Sequence, residues 1–215
     1  MWSNILVTGG TGRLGKELQK SLRGQYPSRK ALDVTNIQGK FPCDLVVHMA
    51  AFTKVEKSEM EKFKCFDINV LGTYNMLKHF EDKPFVYIST EHVFARGIHW
   101  QSKLISELLV KSLAKNYLII RTLFKPTPWP FDYAFTDQMT RGDYVNVIAM
   151  LVAEEIKGWD GRSQTIYVGT RRKSMYEMAK RTKPDVKPNS VNDLGLKRPK
   201  DYITNVKDSV LYEYR

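Results

Sequence analysis

Apolar residues first gather at Ile5-Leu6-Val7, a short continuous run of the kind carried by a strand buried on both faces. Leu14, Leu18 and Leu22 then recur at helical spacing, which predicts a helix with one buried stripe. Arg23-Gly24 reads as the C-cap of that helix, and a brief apolar stretch, Ala31-Leu32-Asp33-Val34, follows in a segment too short for two full strands. Residues 44–51 read as a buried strand running into small residues. A helical segment comes next, with Phe66, Val70 and Leu77 on one face and Asn69 close beside them. Residues 85–90 read as strand, residues 99–115 as a helix with Leu104, Leu108 and Leu109 inward, and residues 117–121 as another strand. Strands alternating with helices predict an α/β fold, a parallel sheet with both faces covered.

The stretch Lys125-Pro126-Thr127-Pro128-Trp129-Pro130 breaks this alternation and is the candidate linker. It separates a core over residues 1–124 from a reduced C-terminal portion over residues 125–215 that also supplies sheet-covering elements. In that portion residues 145–157 read as helix and 164–168 as strand, and a further helix starts at Ser174, whose spacing to Glu177 is that of a capping box.

With 215 residues, 42% of them hydrophobic, the chain can bury a substantial core. No apolar run reaches membrane-spanning length, and residues 1–4 lead into the first strand without a signal-peptide pattern, so the expected location is the cytoplasm. Cys43 and Cys65 lie far apart and outside metal-ligand spacing; they read as reduced, half-buried thiols, and no metal site is expected. The net charge of +11 thickens toward the C-terminus, at Arg171-Arg172-Lys173, Lys180-Arg181, Lys183, Lys187 and Lys197-Arg198-Pro199-Lys200. A solvated basic face accounts for it, as does attraction of a doubly charged ligand such as a nucleotide diphosphate. Nucleic acid is the weaker reading, because few aromatic residues are interleaved.

Between the first strand and the first helix lies Thr8-Gly9-Gly10-Thr11-Gly12-Arg13-Leu14-Gly15. Backbone N–H groups at a helix N-terminus are unpaired and carry partial positive charge, so a glycine-rich turn there can hold the pyrophosphate of a dinucleotide. Gly9 would give the tight turn, Gly12 the close approach and Gly15 the close packing of helix on sheet. The plainer alternative is a glycine-rich turn with no ligand.

Five segments in order resemble the short-chain dehydrogenase/reductase superfamily and, within it, the dTDP-4-dehydrorhamnose reductase family: the glycine turn, residues 32–35, residues 49–59, residues 69–73 and residues 87–94. Ser102-Lys103-Leu104, Arg121-Thr122 and Asp137-Gln138 extend the likeness over nearly the whole chain, which is shorter than typical members. The resemblance implies a Rossmann-type, doubly wound parallel sheet with a small C-terminal substrate lobe. It implies that Gly9, Gly12, Arg13, Leu14 and Gly15 hold the pyrophosphate, that Asp33 and Val34 flank the adenine, and that Ala50, Ala51 and Phe52 lie along the cofactor. It also implies that Thr90 and Glu91 meet the keto sugar, that Lys103 is the catalytic lysine holding the nicotinamide ribose, and that Phe124 and Arg198 are substrate contacts. Arg29, Lys30 and Arg13 favour NADP(H), with NAD(H) left open, since no acidic residue ends a clear second strand to hold a free ribose hydroxyl. The partner expected is a nucleotide sugar, with a homodimer as the expected assembly.

The chain departs from the family at its proton donor. A tyrosine is expected one helical turn before the lysine, and this sequence has His99; a second family tyrosine is His92, and the covering loop is cut to Ala95-Arg96-Gly97-Ile98. A charged His99 could donate a proton, yet the Lys103 ammonium disfavours that charge. Two readings follow: a reductase of a nucleotide-linked 4-keto sugar with Thr90, His99 and Lys103 as its reacting group, or a cofactor-binding regulatory or partner subunit with impaired catalysis. A sugar-nucleotide epimerase or dehydratase is the weaker third.

Overall fold

The computed structural model describes residues 2–193 and, for the backbone alone, residues 209–211. Its strands are β1 (Ile5–Thr8), β2 (Leu45–His48), β3 (Phe85–Thr90), β4 (Tyr117–Thr122), β5 (Phe124–Lys125), β6 (Tyr133–Phe135), β7 (Met139–Thr140), β8 (Asp143–Tyr144), β9 (Gln164–Gly169), β10 (Lys173–Ser174), β11 (Lys187–Asn189) and β12 (Ser209–Leu211). The helices are α1 (Arg13–Leu18), α2 (Val55–Met60), α3 (Lys62–Phe66), α4 (Gly72–His79), α5 (Ile98–Leu113), α6 (Val145–Gly158) and α7 (Met175–Lys180), with a π-helical turn, Asp67–Leu71, between α3 and α4.

Six strands form one parallel sheet in the order β1-β2-β3-β4-β9-β12. Strands β1 to β4 are buried on both faces, which is why they read as nearly unbroken apolar runs. Val7, Val47, Val86, Ile88, Leu118 and Ile120 pack toward α1 and α6, whereas Leu6, Val46, Phe85, Tyr87 and Ile119 pack toward α4 and α5. Leu14, Leu18 and Leu22 all join the first core, but α1 stops at Leu18, so Gly24 does not cap it. A Cβ on Gly24 would meet the Ile5 carbonyl oxygen at 2.7 Å; the glycine serves close passage beside β1.

Beyond β1, among the described residues, the sheet carries a single bridge, Leu6 to Gln25, with Gln25 donating to Ile5 and accepting from Val7. The apolar stretch at residues 31–34 forms turns, not a strand. Its Val34 is buried against Gly72, and Asn75 Nδ2 donates to the Val34 carbonyl at 3.0 Å, so the segment is held to α4 in place of a sheet partner.

Helix α5 also differs from the expected packing. Leu108 is 56% exposed, and the buried face is His99, Ser102, Lys103, Ser106, Glu107 and Val110. A polar stripe therefore occupies the sheet side of a helix whose leucines suggested the opposite rotation. In the preceding helical run the π turn inserts an extra residue per turn, and it is Asn69, not Phe66 or Val70, that is buried there.

The stretch beginning at Pro126 opens a small lobe in which β7 pairs antiparallel with β10 and β6 pairs parallel with β11. Trp129, Phe135, Tyr144, Met175, Met178 and Val186 make its core, and Ser174 and Glu177 cap α7 reciprocally. The intervening α6 and β9 return to the main sheet. Part of the C-terminal basic charge is paired within this lobe: Lys173 is buried 3.3 Å from Asp143, which the half-exposed Arg181 also meets at 2.8 Å, and Lys183 meets the exposed Asp132 at 2.8 Å. Cys43 and Cys65 are free and fully buried rather than half-buried. Among the described residues no helix is long and apolar enough to cross a membrane, and no group of side chains could hold a metal ion.

Candidate active site

The glycine turn sits at the C-terminal end of β1. Gly9 has a φ of 75°, a conformation that favours glycine, and a Cβ there would lie 2.8 Å from the Ala50 nitrogen. A Cβ on Gly15 would meet the Gly9 carbonyl oxygen at 2.5 Å and Gly10 Cα at 2.6 Å, so α1 packs directly on the turn. Gly12 is the N-cap and accepts the first intrahelical bond, from Lys16. The amides of Arg13, Leu14 and Gly15 thus have no acceptor within the helix. Arg13 is exposed, whereas the Leu14 side chain is buried in the core and can contribute only its backbone.

Thr8 ties this turn to the end of β2. Its Oγ1 accepts from the amides of Met49 and Ala50, both at 3.2 Å, and so donates its own proton to His48 Nδ1 at 2.8 Å. His48 Nε2 donates onward to Thr73 Oγ1 at 3.1 Å, and Thr73 donates to the Asn69 carbonyl at 2.5 Å. Burial, with the Lys103 charge, lowers the His48 pKa to about 3, which keeps the ring neutral. Met49, Ala50, Ala51 and Phe52 are half-buried beyond this anchor.

Helix α5 brings its polar face to the same edge. Its head is capped from α2, where Glu59 Oε1 accepts the Ile98 amide at 2.8 Å, and Gly97 permits the entry with a φ of 125°. His99, 8% exposed, bonds through Nδ1 to the Phe52 carbonyl at 3.0 Å. One turn on, Lys103, 5% exposed, donates to the Ile88 carbonyl at 2.7 Å and lies 4.0 Å from the Tyr87 ring centre. Burial lowers the His99 pKa to about 4, with the Lys103 charge adding to the effect. Lys103 is itself lowered to about 7 by burial, against the opposing pull of Glu107. Glu107 accepts a two-pronged bond from Arg121 at 3.0 and 2.6 Å, and Arg121 also donates to the Tyr167 hydroxyl at 3.0 Å.

Asn69, which sequence reasoning did not place in the site, joins these parts. Its Oδ1 accepts the Phe52 amide at 2.6 Å, and its Nδ2 donates to Ser102 Oγ at 2.8 Å and to the Phe52 carbonyl at 3.3 Å. Ser102 and Ser106 complete the buried polar face of α5. Their spacing with His99, Lys103 and Glu107 is itself a helical stripe, a signal available in the sequence had polar rather than apolar recurrence been followed.

The remaining predicted residues are spread more widely. Thr90 is half-buried at the end of β3, where its Oγ1 accepts the His92 amide at 3.2 Å. Glu91 is buried, and Thr140 Oγ1 donates to it at 2.7 Å, so its carboxylate ties β3 to the small lobe. His92 lies 3.4 Å from that carboxylate. Phe124 is half-buried against the first core. Asp33 accepts from Thr35 within its own turn and from Arg29 at 3.2 Å, while Arg29 and Lys30 are exposed. The Val34 side chain is buried and packs against Gly72. Arg198 lies outside the described residues.

Known proteins share this architecture. Residues 3–182 match the RmlD substrate binding domain family. The spore coat polysaccharide biosynthesis protein SpsK of Bacillus subtilis is 30% identical over 148 residues, 56% of this chain and 52% of SpsK. A dTDP-4-dehydrorhamnose reductase of Aggregatibacter actinomycetemcomitans is 28% identical over 185 residues, 73% of this chain and 62% of that protein. The chain thus spans between about half and two thirds of these curated relatives. A crystal structure of the Bacillus anthracis dTDP-4-dehydrorhamnose reductase in complex with NADP superposes with a TM-score of 0.78 at 26% identity, covering 95% of this chain and 91% of that one. With most of its length matched and the same α/β architecture, the chain belongs to the RmlD substrate binding domain family.

Proposed function

We propose that the chain is an NADP(H)-linked oxidoreductase of a nucleotide-linked 4-keto sugar, with Thr90, His99 and Lys103 as its reacting group and His99 standing where the family carries tyrosine. The observation that carries this reading is the meeting of four elements at one sheet edge: Gly9 against Ala50, Phe52 bonded to His99, and Ile88 bonded to Lys103. Nucleotide-sugar reductases among the relatives support the substrate class, and the NADP complex of one of them supports the cofactor.

The residues present fit such a cofactor. The glycine turn leaves no room for a side chain between α1 and Ala50, and its helix-head amides are free to hold a pyrophosphate. Ala50, Ala51 and Phe52 would line the nicotinamide arm and Lys103 its ribose. Exposed Arg13, Arg29 and Lys30, with no strand between α1 and β2 to bring an acidic residue to the ribose, favour a 2′-phosphate and hence NADP(H) over NAD(H). When bound, the reduced nicotinamide supplies the hydride. The chain's own part is to steady the sugar's developing oxyanion with the Thr90 hydroxyl and to deliver a proton from charged His99. Glu91, Phe124 and Arg198 are proposed to face the sugar nucleotide from the lobe side.

Leu71 and Tyr74 at the start of α4, with Ile105, Leu108 and Leu113 on α5, stay exposed on neighbouring helices and support a homodimer. Two free buried thiols suit the cytoplasm.

A second reading, a cofactor-binding subunit without turnover, draws on the low pKa of His99, which leaves the ring uncharged at neutral pH. Purified chain incubated with NADPH and dTDP-4-dehydrorhamnose separates the two. Oxidation of NADPH that is lost in His99→Phe supports the oxidoreductase. NADPH binding with no oxidation supports the subunit, and no binding contradicts both.

A further inference from the structure

We infer that Asn69, acting through the Phe52 peptide, is a positioning residue that locks His99 in the tautomer with hydrogen on Nδ1 and a bare lone pair on Nε2. The direction of every bond in this network is set by groups that can act in only one sense. The Phe52 carbonyl can only accept, so the His99 Nδ1 that lies 3.0 Å from it carries the hydrogen. The Phe52 amide can only donate, so the Asn69 atom 2.6 Å away is the oxygen, and its Nδ2 must face Ser102 and the Phe52 carbonyl. Ser102 Oγ, receiving from Asn69, sends its own hydrogen to the His99 carbonyl at 2.6 Å. Asn69 therefore grips Phe52 on both its polar atoms and α5 through Ser102, holding ring and acceptor in register. The π turn at Asp67–Leu71 is the feature that turns this side chain inward.

The consequence concerns what the resting site recognises, and here it rests on the function proposed above. A neutral imidazole protonated on Nδ1 receives a hydrogen bond at Nε2 and cannot give one there. It matches a sugar hydroxyl, the alcohol form, and has no donor for the oxygen of a 4-keto group until a second proton is bound.

The tautomer is read without cofactor or substrate by nuclear magnetic resonance of the full chain carrying nitrogen-15 histidine at pH 7, with His99→Gln identifying the signals of this ring. The expected spectrum shows a protonated Nδ1 and a lone-pair Nε2 for His99. In Asn69→Ala, or in the similarly sized Asn69→Leu should the first fail to fold, the two shifts are expected to move toward each other as the tautomers mix. A wild-type ring protonated on Nε2 overturns the inference before any variant is made, and a folded Asn69 variant with unchanged ring shifts overturns the role of Asn69. Turnover plays no part in this readout, so a chain inert as a reductase can still show the tautomer and an active one can lack it.

Discussion

At the glycine turn the chain offers backbone to a ligand, whereas along α5 it offers buried side chains that depend on one another. The first region needs only that nothing protrude: Gly9 and Gly15 leave no space for a methyl group, and Thr8 holds the following loop by two amides. The second needs His99, Ser102, Lys103, Ser106 and Glu107 each to keep its buried partner, the Phe52, His99, Ile88 and Ser102 carbonyls and the Arg121 guanidinium. A backbone-built site tolerates divergence around it, because most substitutions leave amides where they were. A side-chain network transmits any single change to all its members.

The largest effect that separates the regions is expected from Glu107→Ala. It would leave the Arg121 guanidinium buried without its carboxylate, and loss of one partner of a buried pair costs about 3–5 kcal/mol. Urea unfolding checks this, and a loss below about 1 kcal/mol would mean that water already screens the pair.

Acid comes next. His48 and His99 have folded pKa values of about 3 and about 4. The unfolded rings titrate near 6.5, so between these values the unfolded chain binds more protons, and stability falls as pH drops below about 6.5. At pH 5 each ring accounts for on the order of 2 kcal/mol. Urea midpoints measured from pH 7 to pH 5 should fall in the wild type and fall less steeply in a folded His48→Gln variant.

Gly15→Ala presses a methyl group onto three backbone atoms of the turn and is expected to cost about 1–3 kcal/mol, with nucleotide affinity reduced alongside. Gly158→Ala is the matched control. Its Cβ would meet nothing within 4 Å at the end of α6, so a gain of roughly 0.5–1 kcal/mol is expected, read as a rise in melting temperature.

The same contrast explains what could be read from the sequence. Strands β1, β2, β3, β4 and β9, helix α6, the capping box at Ser174 and Glu177 and the glycine turn announce themselves through local pattern, whereas the two- and three-residue strands of the small lobe do not. The Ala31–Val34 stretch was harder, because its apolar residues are equally suited to a strand or to a buried turn, and only the Leu6 to Gln25 bridge shows that the sheet stops there. The π turn adds one residue without any mark in composition, so the faces of α3 and α4 cannot be phased across it, and Asn69 reads as lying beside the buried face rather than on it. On α5 the leucines suggested an apolar inner face, but the inner face is filled by polar groups whose partners are backbone carbonyls, Asn69 and Arg121, and Leu108 is left outside. His99 was legible as a departure at the proton-donor position. Its bond to Phe52 was not, since the two residues are brought together only by the fold.

The measurement that tests the account most directly is kcat/KM for dTDP-4-dehydrorhamnose, followed as NADPH oxidation at limiting substrate and compared at pH 5 and pH 7. With the His99 pKa near 4, the charged ring falls about tenfold for each pH unit above it, so the account predicts a roughly hundredfold slower reduction at pH 7 than at pH 5. A measurable rate that is equal at the two pH values, or faster at pH 7, would contradict His99 as the source of the proton.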